Sequence, residues 1–109
     1  MGLVTSSSST NNHNLYFSKD ELSKILKLYS KGVSSGKWKD YAIDFNKNNA
    51  FFYIFKHSLA APEFVLNKSF ERKKRKIFYN LKSKNQNKKF EYLDQLISSL
   101  NRKIFKILD

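Results

Sequence analysis

The stretch FERKKRKIFYN sets five consecutive basic residues, Arg72, Lys73, Lys74, Arg75 and Lys76, between aromatic ones. Five adjacent cations suit one kind of chemistry, the neutralisation of a polyanion, because each Lys or Arg that meets a phosphate releases condensed counterions whatever the base sequence. The two arginines add planar guanidiniums that take a phosphate through two parallel hydrogen bonds. Lys84, Lys88 and Lys89 follow closely and would extend the same surface. A second stretch, AFFYIFK, puts Phe51, Tyr53 and Phe55 on one face of an extended chain and Phe52 and Ile54 on the other. Aromatic rings beside lysines are what single-strand binders use, the rings stacking on bases and the cations holding phosphates.

Each feature also has a structural reading. The basic run could be a solvated connection between two strands, charged so that the sheet edge does not pair with other chains. The aromatic stripe could be buried in a dimer interface, or beneath the loop that carries Trp38 and Leu59.

Other chemistry lacks its parts. There is no cysteine, and His57 is the only histidine beyond the N-terminal stretch, so neither a thiolate nucleophile nor a multi-histidine metal site can be assembled. Asp44 and Glu63 would be paired carboxylates if neighbouring strands set them opposite, but beside Lys47 and Lys56 they read as sheet-surface charges. Gly2, Gly32 and Gly36 form no phosphate-cradling loop. We therefore expect no enzyme activity, no catalytic or metal-ligating residues and no cofactor.

The net charge of +12 needs one correction. Eighteen Lys against three Arg, with eleven Asn, is what an AT-rich coding sequence produces unaided. That bias favours Asp and Glu codons as well, yet only nine acidic residues are present, so the imbalance of 21 against 9 stands. It implies a polyanionic partner, RNA or DNA. Arg72 and Arg75 are cations the bias does not supply.

These residues need elements to position them. Residues 1–15 are Ser, Thr and Asn with little apolar content and read as a disordered polar tail, without the charged start and apolar run of a secretory signal. Residues 16–109 read as one domain. Ser18 with Glu21 forms a capping box and Phe17 with Leu22 a hydrophobic staple, opening a helix along Leu22, Ile25, Leu26, Tyr29 and Val33 that Gly32 stops. DYAIDF and AFFYIFK form a hairpin across residues 46–49, EFVLNKSF is a third strand interrupted by Lys68, and KIFYNLK is a fourth. Phe70 and Ile77 flank the basic run as core anchors. SKNQNKK reads as a polar turn, and from Phe90 the spacing of Leu93, Ile97, Leu100, Ile104 and Ile107 or Leu108 predicts a second helix. The order α-β-β-β-β-α predicts an α+β fold, a four-stranded antiparallel sheet with two helices packed on one face. No window reaches the ~20 apolar residues of a membrane span, so no integral membrane segment is expected.

LYSKGVSSGKWKDYAIDF and FFYIFKHSLAAPEFVLNK (residues 28–45 and 51–68) resemble an uncharacterised alphaproteobacterial family, domain of unknown function 2794, over roughly residues 17–108. The likeness lies in the Trp38 to Phe45 block and in Ile54-Phe55-Lys56 leading on to Pro62. It implies a cytoplasmic bacterial protein and brings no functional residues with it. The expectation is a small non-enzymatic domain that binds RNA or DNA with low specificity through Arg72 to Lys76, Lys84, Lys88 and Lys89. The alternative is a protein-interaction or homo-oligomeric module using the face of Phe51, Tyr53 and Phe55.

Overall fold

The structure is a computed structural model that describes residues 13–58 and 60–105. The readings made for residues 1–12, Leu59, Ile107 and Leu108 lie outside the described residues. Helix α1 spans Lys19–Ser34. Its first turn is closed as the spacing predicts: the Glu21 N–H donates to Ser18 Oγ at 3.0 Å and the Ser18 N–H donates to Glu21 Oε1 at 2.8 Å. Ile25 and Leu28 are buried along one stripe, whereas Val33 is exposed.

Gly32 does not end this helix. It lies inside α1, and the chain leaves the helical path at Gly36, whose φ of +74° is the left-handed conformation that suits glycine after a helix. Gly32 is needed for a different reason: a Cβ there would sit 2.0 Å from Trp38 Cε3, inside the indole ring.

Five strands follow: β1 (Asp40–Phe45), β2 (Asn49–Phe55), β3 (Phe64–Glu71), β4 (Lys76–Lys82) and β5 (Asn87–Phe90), before helix α2 (Leu93–Phe105). They form a single antiparallel meander in chain order. The sheet thus has five strands, not four. The segment read as a polar turn is a tight hairpin, closed by the Ser83 N–H on the Gln86 carbonyl at 2.8 Å, that returns Asn87 to Phe90 alongside β4. Being a short edge strand, β5 buries no complete face, so its sequence NKKF shows no apolar alternation. Helix α2 consequently starts at Leu93 rather than Phe90.

The α+β class and the placement of both helices on one face hold. Ile25 and Leu28 of α1 and Leu93, Leu96 and Leu100 of α2 pack against Phe52, Ile54, Phe64, Leu66 and Leu81 of the sheet. Each such burial removes apolar area worth about 25 cal/mol per Å², and together these residues form one continuous core. Trp38, on the loop into β1, completes that core with Tyr29, Phe64 and Phe105 around it. Phe70, by contrast, lies towards the end of the sheet and is 36% exposed. The N-terminal approach is tied at the far end of β1, where the Leu15 N–H donates to the Asn46 carbonyl at 2.8 Å and the Tyr16 ring meets Phe45 at 4.5 Å.

Candidate nucleic-acid interface

Side chains alternate along a strand, so burying Phe52 and Ile54 beneath the helices turns Phe51, Tyr53 and Phe55 to the opposite face. No described helix lies on that face. Register places Asp44, Phe51, Asn67, Asn80 and Lys89 in one row across it, with Ala42, Tyr53, Val65, Lys82 and Asn87 in the next. Phe51 and Tyr53 are half-buried and stack with centroids 5.8 Å apart and planes 20° from parallel. Trp38 packs on the helix side, so its loop does not cover the stripe. Beside the rings runs an amide ladder: Asn80 Nδ2 donates to Asn67 Oδ1 at 3.0 Å, and Asn67 Nδ2 to Asn49 Oδ1 at 3.1 Å.

The basic residues divide. Arg72, Lys73, Lys74 and Arg75 form the exposed β3–β4 turn, and none is in an ion pair among the described residues. Lys74, Lys76 and Lys89 bring their ammonium groups to 5.3, 5.6 and 4.2 Å from the Phe78 ring centroid on the open face. Lys76 is, however, paired with Glu91 at 3.3 Å and Lys89 with Glu71, which compensates much of their charge. Lys84 sits in the β4–β5 turn at the other end of β4, and Lys88 lies opposite Leu81 and so on the helix side. The eight cations read from sequence therefore do not make one surface.

Lys82 was not among them, yet it is exposed on the open face in the same row as Tyr53. Its signal was the period-two alternation of KIFYNLK, which puts Lys76, Phe78, Asn80 and Lys82 together. The carboxylates Asp44 and Glu63 do not face each other: Asp44 is on β1, Glu63 immediately precedes β3, and β2 runs between. Asp40 and Asp44 instead accept from the N–H groups of Tyr41 and Phe45, both at 2.8 Å, along the edge strand β1. The open face is thus acidic at its β1 edge and basic towards β4 and β5. His57 is exposed.

Arg75 has φ +50°, a left-handed conformation that costs a residue with a side chain roughly 1 kcal/mol. We expect Arg75→Gly to raise the stability by about 0.5–1 kcal/mol in urea unfolding. A loss instead would mean that the guanidinium makes a stabilising contact in the turn.

A second polar group lies on the helix side of the sheet. Lys68 is 8% exposed, and its Nζ donates to Glu21 Oε1 at 2.7 Å and to the Tyr16 carbonyl at 2.8 Å, while the Tyr79 hydroxyl donates to Glu21 Oε2. Burial alone would raise the Glu21 carboxyl, but the hydrogen bonds from Lys68, Tyr79 and the Ser18 amide, with the Lys68 charge, hold it below its usual range. Burial, the hydrogen bond to Glu21 and its negative charge push the Tyr79 hydroxyl well above the usual tyrosine value. Every polar atom faces a partner within a closed set, so the cluster pins the start of α1 to β3 and β4.

The molecule is a two-layer α+β protein, with two helices on one face of a five-stranded antiparallel meander and an aromatic open face on the other. The chain belongs to the family described as Protein of unknown function (DUF2794), whose model matches residues 15–95. No curated protein and no solved structure matches it. Among the described residues no helix is long and apolar enough to cross a membrane.

Proposed function

We propose that this domain is a non-enzymatic binder of single-stranded RNA or DNA, with little base specificity, working through the open sheet face. The observation that supports this most is the half-exposed Phe51–Tyr53 stack on the face the helices leave bare, with Lys82 in the Tyr53 row and Lys74 over Phe78. Bases would stack on the two rings while Lys74, Lys82 and the β3–β4 turn hold phosphates. The acidic β1 edge would set one limit of the site, because Asp40 and Asp44 repel a phosphate chain.

Fluorescence anisotropy with a labelled single-stranded oligonucleotide tests it. Binding is expected at low salt and should weaken steeply as salt rises. Phe51→Ala and Tyr53→Ala should each cost about 1–3 kcal/mol. Lys74→Ala and Lys82→Ala should each flatten the salt dependence by about 0.7 in the log–log slope. No anisotropy change at low ionic strength would end the proposal. A sedimentation mass above the 12.9 kDa of one chain, returning to that value in the Phe51 and Tyr53 variants, would assign the face to self-association instead.

A further inference from the structure

Away from the open face, the β2–β3 loop, the β4–β5 turn and the last turn of α2 enclose a groove. It consists of a cavity of about 650 Å³ and an adjoining one of about 460 Å³, with Lys56, Glu63 and Lys103 in the wall of both. This is the size of a small-molecule site. Pro62 and Phe64 line the larger cavity, and Lys103 reaches over the Phe64 ring at 5.9 Å while donating to Gln86 Oε1 at 3.2 Å. Trp38 lines the smaller one. Its side chain is 2% exposed, and its Nε1–H is a buried donor without an acceptor among the described residues. A buried donor left unpaired costs about 1–3 kcal/mol, so it needs a guest or another reason to be there.

Charge selects the guest. Lys37, Lys56, Lys84 and Lys103 border the groove and none is in an ion pair among the described residues. Against these four cations stand Glu63, with one negative charge, and the C-terminal ends of α1 and α2, with about half a charge each. The balance remains positive. We propose that the groove binds a small amphipathic oxyanion, its carboxylate or phosphate held by Lys56 and Lys103 and its flat apolar body lying along Pro62 and Phe64. Seating the head group requires the long lysine side chains to move aside, after which an oxygen would accept from Trp38 Nε1. This proposal does not depend on the reading of the open face.

Trp38 is the only tryptophan, so the full chain labelled with ¹⁵N shows one indole N–H resonance. It is to be followed at constant ionic strength against acetate, benzoate, inorganic phosphate and phenyl phosphate, with chloride as control. We expect a saturable shift with benzoate or phenyl phosphate, at least tenfold tighter than with acetate or phosphate. Which of the two aromatic anions binds more tightly identifies the head group. Lys56→Gln and Lys103→Gln should each weaken that binding several-fold without moving the melting midpoint, and Phe51→Ala should leave it unchanged. A resonance that moves no more than with chloride, or an affinity indifferent to both lysine variants, would overturn the proposal.

Discussion

Gly32→Ala is expected to destabilise the protein by about 3 kcal/mol and to lower its melting midpoint by roughly 15 °C. Helix propensity alone points the other way, since alanine is better than glycine inside a helix by about 1 kcal/mol. Packing reverses the sign. The new methyl would meet Trp38 Cε3, Cδ2 and Cζ3 at 2.0, 2.5 and 2.6 Å, well inside van der Waals contact. The ring has little room to yield, because Tyr29 lies nearly parallel to it at 6.3 Å while Phe64 and Phe105 stand edge-on at 6.1 and 6.0 Å. Gly36→Ala provides the contrast. Nothing lies within 4 Å of its Cβ position, so only the left-handed φ of +74° is penalised, at about 1 kcal/mol. Thermal unfolding followed by circular dichroism ranks the two variants, and a Gly32→Ala midpoint at or above that of the parent would show that the indole moves freely.

Lys68→Met is the second large effect, at about 3 kcal/mol, because it strips the cation from a carboxylate held largely out of water. Pairing it with Glu21→Gln should recover part of the loss, since the double variant leaves no buried charge unmatched. A double-mutant cycle in urea measures that coupling, and strict additivity would mean the two groups do not interact. The same cluster fixes how stability depends on pH. Glu21 has a lowered carboxyl pKa in the folded state, so its contribution is complete above the unfolded value near 4.3 and is lost as pH falls through the folded one. Tyr79 has a raised pKa, so its contribution is complete below the unfolded value near 10 and is lost as pH rises towards the folded one. Stability from these two groups therefore spans roughly pH 5 to 10. Glu21→Gln should flatten the acid limb while leaving the burial-driven part of the alkaline fall in place, weakened by loss of the hydrogen bond to the Glu21 carboxylate and of its negative charge beside Tyr79.

How legible each feature was in the sequence follows from how local its cause is. The capping box joins residues three apart and was readable at once. So were β2 to β4 and α2, because a covered face repeats every second or every third to fourth residue; β1 shows the same alternation in Tyr41, Ile43 and Phe45, yet as an edge strand it leaves all three exposed. The strand β5 escaped because an edge strand exposed on both sides carries no such period. Gly32 was recognised as important but for the wrong reason, since its partner Trp38 approaches it from the loop beyond the helix. Lys68 looked like an interruption in the apolar face of β3, whereas Glu21, 47 residues earlier, makes that position tolerable for a charge.

The candidate site divides in the same way. That Phe51, Tyr53 and Phe55 share a face is a property of the strand alone. That this is the open face depends on which side the helices take, and Phe52 and Ile54 are equally apolar. The run Arg72 to Lys76 was visible as charge, but the pairing of Lys76 with Glu91 and of Lys89 with Glu71 arises only once β3, β4 and β5 lie side by side.

For this protein the sequence by itself determined the class of fold, the capped start of α1, and the excess of positive charge. Only the tertiary structure decided which cations remain uncompensated, which aromatic face stays open, and why Gly32 and Lys68 stand where they do. The physical reason is that periodicity and capping act over a few residues, whereas ion pairing and close packing join groups that the chain brings together only on folding.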